Sequence, residues 1–159
     1  MAAKSGTTKK PSKAKRNLSL EHPRLGAVEY LEEDVYHFPQ GLLGFEKRKH
    51  YILVEREEYY PFVWMISTDE PTTSFVLVNP LIFLPDYNPN ISKRELNELQ
   101  IDNPQSLLMY VIITLNRDPL KTTANLCGPI LINTEKKIGK QLVLLDDSYS
   151  TKHPILKSE

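Results

Sequence analysis

The stretch Pro61-Phe62-Val63-Trp64-Met65-Ile66-Ser67, then Thr68-Asp69-Glu70-Pro71, then Ser74-Phe75-Val76-Leu77-Val78-Asn79-Pro80, decides the fold. Two apolar runs, 62–66 and 75–78, flank a polar turn that carries Asp69, Glu70 and Pro71. Short β-branched and aromatic runs bounded in this way predict two buried strands joined by a tight connection. The second run stops at Asn79-Pro80, because proline supplies no ladder N–H and restricts the residue before it.

Working outward toward the N-terminus, 51–54 reads as another strand. Ahead of it, Pro39, Gly41 and Gly44 mark a bend that needs unusual backbone dihedrals. The segment 25–31 alternates as a half-exposed strand, with Val28 and Tyr30 on one face. Its expected hairpin partner is 35–38, across a turn of Glu32, Glu33 and Asp34. Toward the C-terminus, Ser92 and Glu95 have the spacing of a capping box, and Leu96 and Leu99 give a short apolar stripe, predicting a helix over 92–100. The longest apolar run, 107–115, has a Val-Ile-Ile-Thr centre that favours a strand buried on both faces. Two more strands are expected at 130–132 and 142–145, with a hairpin tip at 136–140 around Gly139. Seven or eight short strands and one helix make an all-β, mainly antiparallel domain, a barrel or a sandwich. Parallel α/β is disfavoured because helices do not alternate with strands.

The chain has 159 residues, 18.3 kDa and a mean hydropathy of −0.38, which suits one soluble domain with polar appendages. No stretch approaches the roughly 18 apolar residues of a membrane-spanning helix. The single cysteine, Cys127, excludes an internal disulfide and argues against a zinc cluster. A cytoplasmic protein is the simplest reading. The formal charge of zero hides a division, since six of the 20 basic residues lie in 1–16, where there is no acid. Residues 17–159 therefore hold fourteen bases against 20 acids. Residues 1–20 are expected to form a disordered basic tail, 21–150 the domain, and 151–159 a flexible tail. Such an arm can bind nucleic acid. Without an aromatic among its lysines to stack on bases, a solubilising role is the better reading.

No catalytic group stands out. His22, His37, His50 and His153 are scattered, with no ligand spacing among them. Cys127, next to Gly128-Pro129 and an apolar run, suits a packed thiol better than a nucleophile. Gly41-x-x-Gly44 lacks the helix start, Lys and Ser/Thr of a phosphate loop, and there is no nucleophile elbow. No cofactor or metal is expected. Acids gather at 29–34, 55–58, 69–70 and 146–147, at predicted turns or strand ends. Two readings stand: a negative face that steers a basic partner, or an ordinary solvated rim.

Several segments together resemble a known family. They are Phe38-Pro39-Gln40-Gly41-Leu42-Leu43-Gly44-Phe45-Glu46, Tyr51-Ile52-Leu53, Pro61 to Ser67 with Asp69-Glu70-Pro71, and Ser74 to Pro80. They continue with Phe83-Leu84-Pro85-Asp86-Tyr87, Thr123 to Asn133 and Gln141-Leu142-Val143-Leu144. In this order and spacing, over about 25–150, they resemble the bacterial flagellar assembly factor FliW. Leu43, Ile66 and Gly128 depart from the usual proline, glutamine and alanine. The resemblance implies a non-enzymatic, cytoplasmic, β-barrel-like protein. It also implies a partner switch between flagellin and CsrA, a translational regulator with a basic RNA-binding surface. On that reading, Glu55, Glu57, Glu58, Asp69 and Glu70, flanking the central hairpin, are expected to meet a basic partner. Asp86, Tyr87 and Asn125, polar groups in matching turns, are further candidates for partner contact, though Asn125 suits an Asx-turn better. Neither direct nucleic-acid binding nor a membrane partner is expected. A barrel that binds a small ligand such as a flavin, or nucleic acid through the basic arm, is the alternative.

Overall fold

The structure is a computed structural model that describes residues 17–145 and 147–156. In chain order its strands are β1 (Asn17–His22), β2 (Gly26–Leu31), β3 (Tyr36–His37), β4 (His50–Glu55), β5 (Val63–Ser67) and β6 (Ser74–Val78). Helix α1 (Lys93–Glu98) follows, then β7 (Leu107–Thr114), β8 (Thr123–Asn133), β9 (Ile138–Gln141) and β10 (His153–Pro154).

The central hairpin forms as the apolar runs predict, with Val63 opposite Leu77 and Ile66 opposite Ser74. Strands β3 to β9 pair in succession, and β9 returns to β3, so seven strands close a barrel. Every pair is antiparallel except the last. Seven alternating strands leave the first and last pointing the same way, so a closed ring of odd number must contain one parallel seam. Here that seam is one bridge, Ile138 to His37. Beside it the His37 N–H donates to the Lys137 carbonyl at 2.9 Å. Gly139 also belongs to the seam: a Cβ there would lie 2.3 Å from the Phe38 ring.

The barrel interior holds Tyr36, Phe38, Leu42, Tyr51, Val63, Met65, Leu77, Ile130 and Ile132. Three covers pack on its outside. The β1–β2 hairpin lays Leu20 and Val28 on Ile52, Trp64 and Ile66. The loop around Tyr87, with Tyr149 and Ile155, covers Val78, Val111 and Leu126. Leu99, at the end of α1, packs on Leu131 and Leu142. A six-residue helix would not persist alone. Ser92 caps it by accepting the Glu95 N–H at 3.2 Å, and the Lys140 ammonium donates to both Glu95 and Glu98.

Five expectations change. The partner of β2 is β1, with Leu20 opposite Val28, and 35–38 instead supplies the short β3 on β4. The basic tail therefore ends before Asn17: Leu18, Leu20 and His22 alternate with polar residues, a half-buried strand masked by the lysine-rich composition ahead of it. His22 locks the turn by accepting the Arg24 and Leu25 N–H groups at Nδ1 and facing the Ser74 hydroxyl at Nε2, 2.9 Å away. Residues 1–16 lie outside the described residues. At the other end of the chain, His153 and Pro154 pair with Ala124 and Thr123, so part of 151–159 belongs to the sheet, while 157–159 lie outside the description. The last hairpin is shifted as well. Asn133 Oδ1 accepts the Glu135 and Lys136 N–H groups, Lys137 takes φ +57°, and the strand is 138–141 instead of 142–145. Residues 142–144 still bond to Pro129 and Cys127 of β8. They lose regular pairing where β8 shifts register, between the pairs Tyr110–Ile130 and Ile112–Asn125. The run 107–115 is a strand, but four of its first residues are only half-buried.

Candidate functional site: an open barrel mouth

The two ends of the barrel differ. At the end where β4 begins, the glycine-marked loop folds across the opening. Leu42 is 2% exposed inside the core, and Phe45 meets Phe75 edge-on at 5.1 Å. Gly41 sits at φ +64°, where a Cβ would lie 2.7 Å from the Glu46 backbone, so only glycine fits this turn. Asp69 ties the same end together. Its carboxylate accepts the Lys49 and His50 N–H groups at 2.9 and 3.1 Å and lies 3.2 Å from the His50 ring. Partial burial pushes the Asp69 carboxyl up, but these donors outweigh it and hold the group below its usual value.

At the opposite end β4 finishes at Glu55, β5 starts at Val63, β6 finishes at Val78 and β7 starts at Leu107. Among the described residues no loop folds across here. A groove of about 850 Å³ opens between the turn Glu57–Tyr59, the turn Pro80–Ile82 and the start of β7. Its floor is Val63, Leu108 and Tyr110, members of the barrel core or packed on it. Its walls expose large apolar groups, with Tyr60 82%, Ile82 56% and Leu81 44% accessible. A cis peptide joins Tyr60 to Pro61 in this wall. Glu55 and Glu57 line the groove and Glu58 follows them in the turn, all exposed. Glu55 and Tyr110 line the same groove; burial raises the Tyr110 hydroxyl, and the Glu55 charge adds to the effect. A second groove, of about 520 Å³, runs beside the first under the β1–β2 hairpin. It shares Glu55 and Arg56 and adds Glu29, Tyr30, Asp34 and Lys137.

The expected acidic set is therefore split. Glu55, Glu57 and Glu58 stand at the mouth. Asp69 and Glu70 stand at the closed end, about 17 Å away along β4 at ~3.3 Å per residue. The register explains the division, since Glu55 faces Val63 and Tyr51 faces Ser67 at opposite ends of one ladder. Asp69 is also engaged by the loop it clamps, and Glu70 accepts from the Thr72 hydroxyl. Tyr87 cannot face a partner: it is 4% exposed, and its hydroxyl donates to the Leu126 carbonyl at 2.7 Å. Asn125 accepts the Cys127 N–H at 3.0 Å, the Asx-turn its type suggests. Asp86 is exposed in the loop before Tyr87. Sequence reasoning missed Tyr60, Leu81 and Ile82. The one local signal was that Tyr59-Tyr60-Pro61 and Pro80-Leu81-Ile82 put large apolar groups where turns are ordinarily polar.

Cys127 is half-buried, its thiol donating to the Tyr149 carbonyl at 3.2 Å, a packed role. Among the described residues no group of three or more His, Cys, Asp or Glu could hold a metal ion. None of their helices is long and apolar enough to cross a membrane.

A family model described as FliW protein matches residues 19–155, a span covering the barrel and all three covers. This chain belongs to the FliW family. A relative from Syntrophus aciditrophicus, named flagellar assembly factor FliW, is 36% identical over 141 residues, covering 89% of each chain. One of the same name from Leptospira interrogans is 39% identical over 142 residues, covering 89% of this chain and 95% of that one. A crystal structure of the flagellar assembly factor FliW superposes with a TM-score of 0.83 at 35% identity, covering 89% of this chain and 99% of that one. The β-barrel is thus the FliW fold, and the match beginning at residue 19 takes in most of β1.

Proposed function

We propose that this chain is a flagellar assembly factor, acting in the cytoplasm by reversible protein recognition at the open mouth, with no bond made or broken. Flagellin and a CsrA-type RNA-binding regulator are its alternating partners, so that flagellin binding releases the regulator to repress translation. The carrying observation is the mouth itself, an apolar-floored groove of about 850 Å³ with exposed Tyr60, Leu81 and Ile82 and a carboxylate rim. Exposed apolar groups beside a charged rim are the make-up of a protein-binding surface. The negative rim suits a basic RNA-binding surface, and once docked it would repel the phosphate backbone competing for that surface.

The test is titration of purified CsrA and flagellin into the full chain and into a Glu57→Lys, Glu58→Lys variant. The variant should bind CsrA about tenfold or more weakly, about 1.4 kcal/mol or more, with a flatter dependence on salt. Flagellin should displace CsrA from the unaltered chain. Unchanged affinity together with unchanged salt dependence would remove the mouth as the regulator's site.

A further inference from the structure

Strand β3 is too short for the wall it belongs to. It meets β4 only at Tyr36–Tyr51 and His37–His50, while β4 runs on to Glu55. Continued at the same register, Asp34 would lie opposite Leu53 and Glu32 opposite Glu55. The chain instead turns there, the Val35 N–H donating to the Glu32 carbonyl at 3.3 Å. The second groove, of about 520 Å³, is the slot that this leaves in the barrel wall. Residues 52–56 of β4 form one bank and Tyr36, Thr134 and Lys137 the other, with Leu108 and residues 28–30 of β2 completing it.

The edge of β4 that faces the slot is unpaired. In an antiparallel ladder, successive residues turn their N–H and C=O groups to alternate sides. The His50 carbonyl accepts the Thr68 N–H at 3.0 Å, on the β5 side, and the Lys49 carbonyl accepts the Phe38 N–H at 2.7 Å, on the β3 side. Ile52 and Val54 therefore bond toward β5, and Tyr51, Leu53 and Glu55 turn toward β3. Tyr51 meets Tyr36 there. Among the described residues, Leu53 and Glu55 meet no hydrogen-bonding partner on that side. Their N–H and C=O groups stand free along about 7 Å of strand. Leu53 and Leu108 pack on the barrel interior but stay half-buried beside this edge. A free edge next to apolar surface is a template for an added strand.

Charge indicates what kind of strand. Glu29, Asp34 and Glu55 line the slot and Glu32 and Glu33 flank it, all exposed. Two bases line it as well, Arg56 and Lys137, the second held over the Tyr36 ring at 4.8 Å from its centroid. Among the described residues the ion pairs lie elsewhere, at His50, Arg94, Lys136 and Lys140.

We propose that this slot takes an extended segment of a partner protein as an added strand on β4. Its apolar side chains face inward to Leu53 and Leu108, and its basic ones face the outer carboxylates. Backbone bonds to Leu53 and Glu55 hold such a segment in register, and the carboxylates select the basic residues on it. The inference goes beyond the mouth as a partner site and does not need it.

The test is amide hydrogen exchange on the full chain, read by NMR, with a blocked Lys-Val-Lys-Val-Lys peptide as the probe. Without peptide, the Leu53 and Glu55 amides should exchange at least about tenfold faster than those of Ile52 and Val54. Peptide at about ten times its Kd should slow both about tenfold. An analogue of the same charge, N-methylated at every residue, cannot donate to the edge and should leave them fast. Glu29→Gln combined with Asp34→Asn should weaken the parent peptide about threefold or more. No slowing at about 10 mM peptide, or equal slowing by the N-methylated analogue, would overturn the proposal. So would Leu53 and Glu55 amides already protected in a chain that sediments as a dimer, which would give the edge to a second copy. No readout involves CsrA or flagellin, so the mouth could fail as their site without touching this result.

Discussion

The closed and open ends of this barrel are built from the same hairpin and put it to opposite use. At the closed end the loop 39–49 crosses the opening, Leu42 and the Phe38 and Tyr51 rings fill it, the partly exposed Phe45 lies edge-on to Phe75, and Asp69 ties loop to strand. At the open end no loop among the described residues crosses, and the exposed Tyr60, Leu81 and Ile82 stand beside Glu55 and Glu57. The closed end is packed and clamped, with Leu43 and Phe45 exposed on its outer side, while the open end exposes Tyr60, Leu81 and Ile82 around a groove, a cost that a binding role explains.

Mutation should separate the two. The largest effect is expected from Phe38→Ala, which empties the interior of a fully buried ring and should lower the unfolding free energy by about 3–5 kcal/mol, read as the midpoint of urea denaturation. A smaller effect belongs to Asp69→Asn, about 1 kcal/mol at neutral pH, because the replacement keeps one acceptor but loses the charge. Its pH dependence has a fixed sign. The folded carboxyl is held below its unfolded value near 3.9, so its contribution is full above that pH and is lost as pH falls through the folded value. The gap between the parent chain and Asp69→Asn should therefore narrow in acid melts below about pH 4, and a gap that widens would contradict the clamp. The smallest stability effect, within about 0.5 kcal/mol, is expected from Tyr60→Ser combined with Ile82→Ser. The same pair should weaken binding of the protein partner in a titration. If it destabilised the fold as much as Phe38→Ala, the mouth would be a structural surface and the contrast between the ends would fail.

The legible parts of the molecule were those whose signals are local. The turn around Asp69-Glu70-Pro71 and the stop at Asn79-Pro80 delimit β5 and β6 directly, and Ser92 with Glu95 marks the start of α1. The glycine bend was recognisable as a bend, but not as the cap of a barrel, because its partners Tyr51 and Phe75 come from elsewhere in the chain. The mouth was hidden for the same reason: 55–63, 79–82 and 107–110 meet only after closure. Strand β1 was obscured by composition, its Leu18, Leu20, His22 alternation following a run of lysines. Tyr87 was misread because a tyrosine in a loop carries a hydroxyl that suits a binding surface as well as a buried carbonyl. Only packing decides between them, here against Tyr149 at 4.8 Å.

An odd count of staves leaves a cask with one mismatched joint, and here the joint between β3 and β9 is held by a single bridge and an aromatic ring lying on a bare α-carbon. A methyl group at Gly139 would act as a wedge there, prising the ring away while every other joint stayed sound. The hoop of the vessel is a residue with no side chain at all.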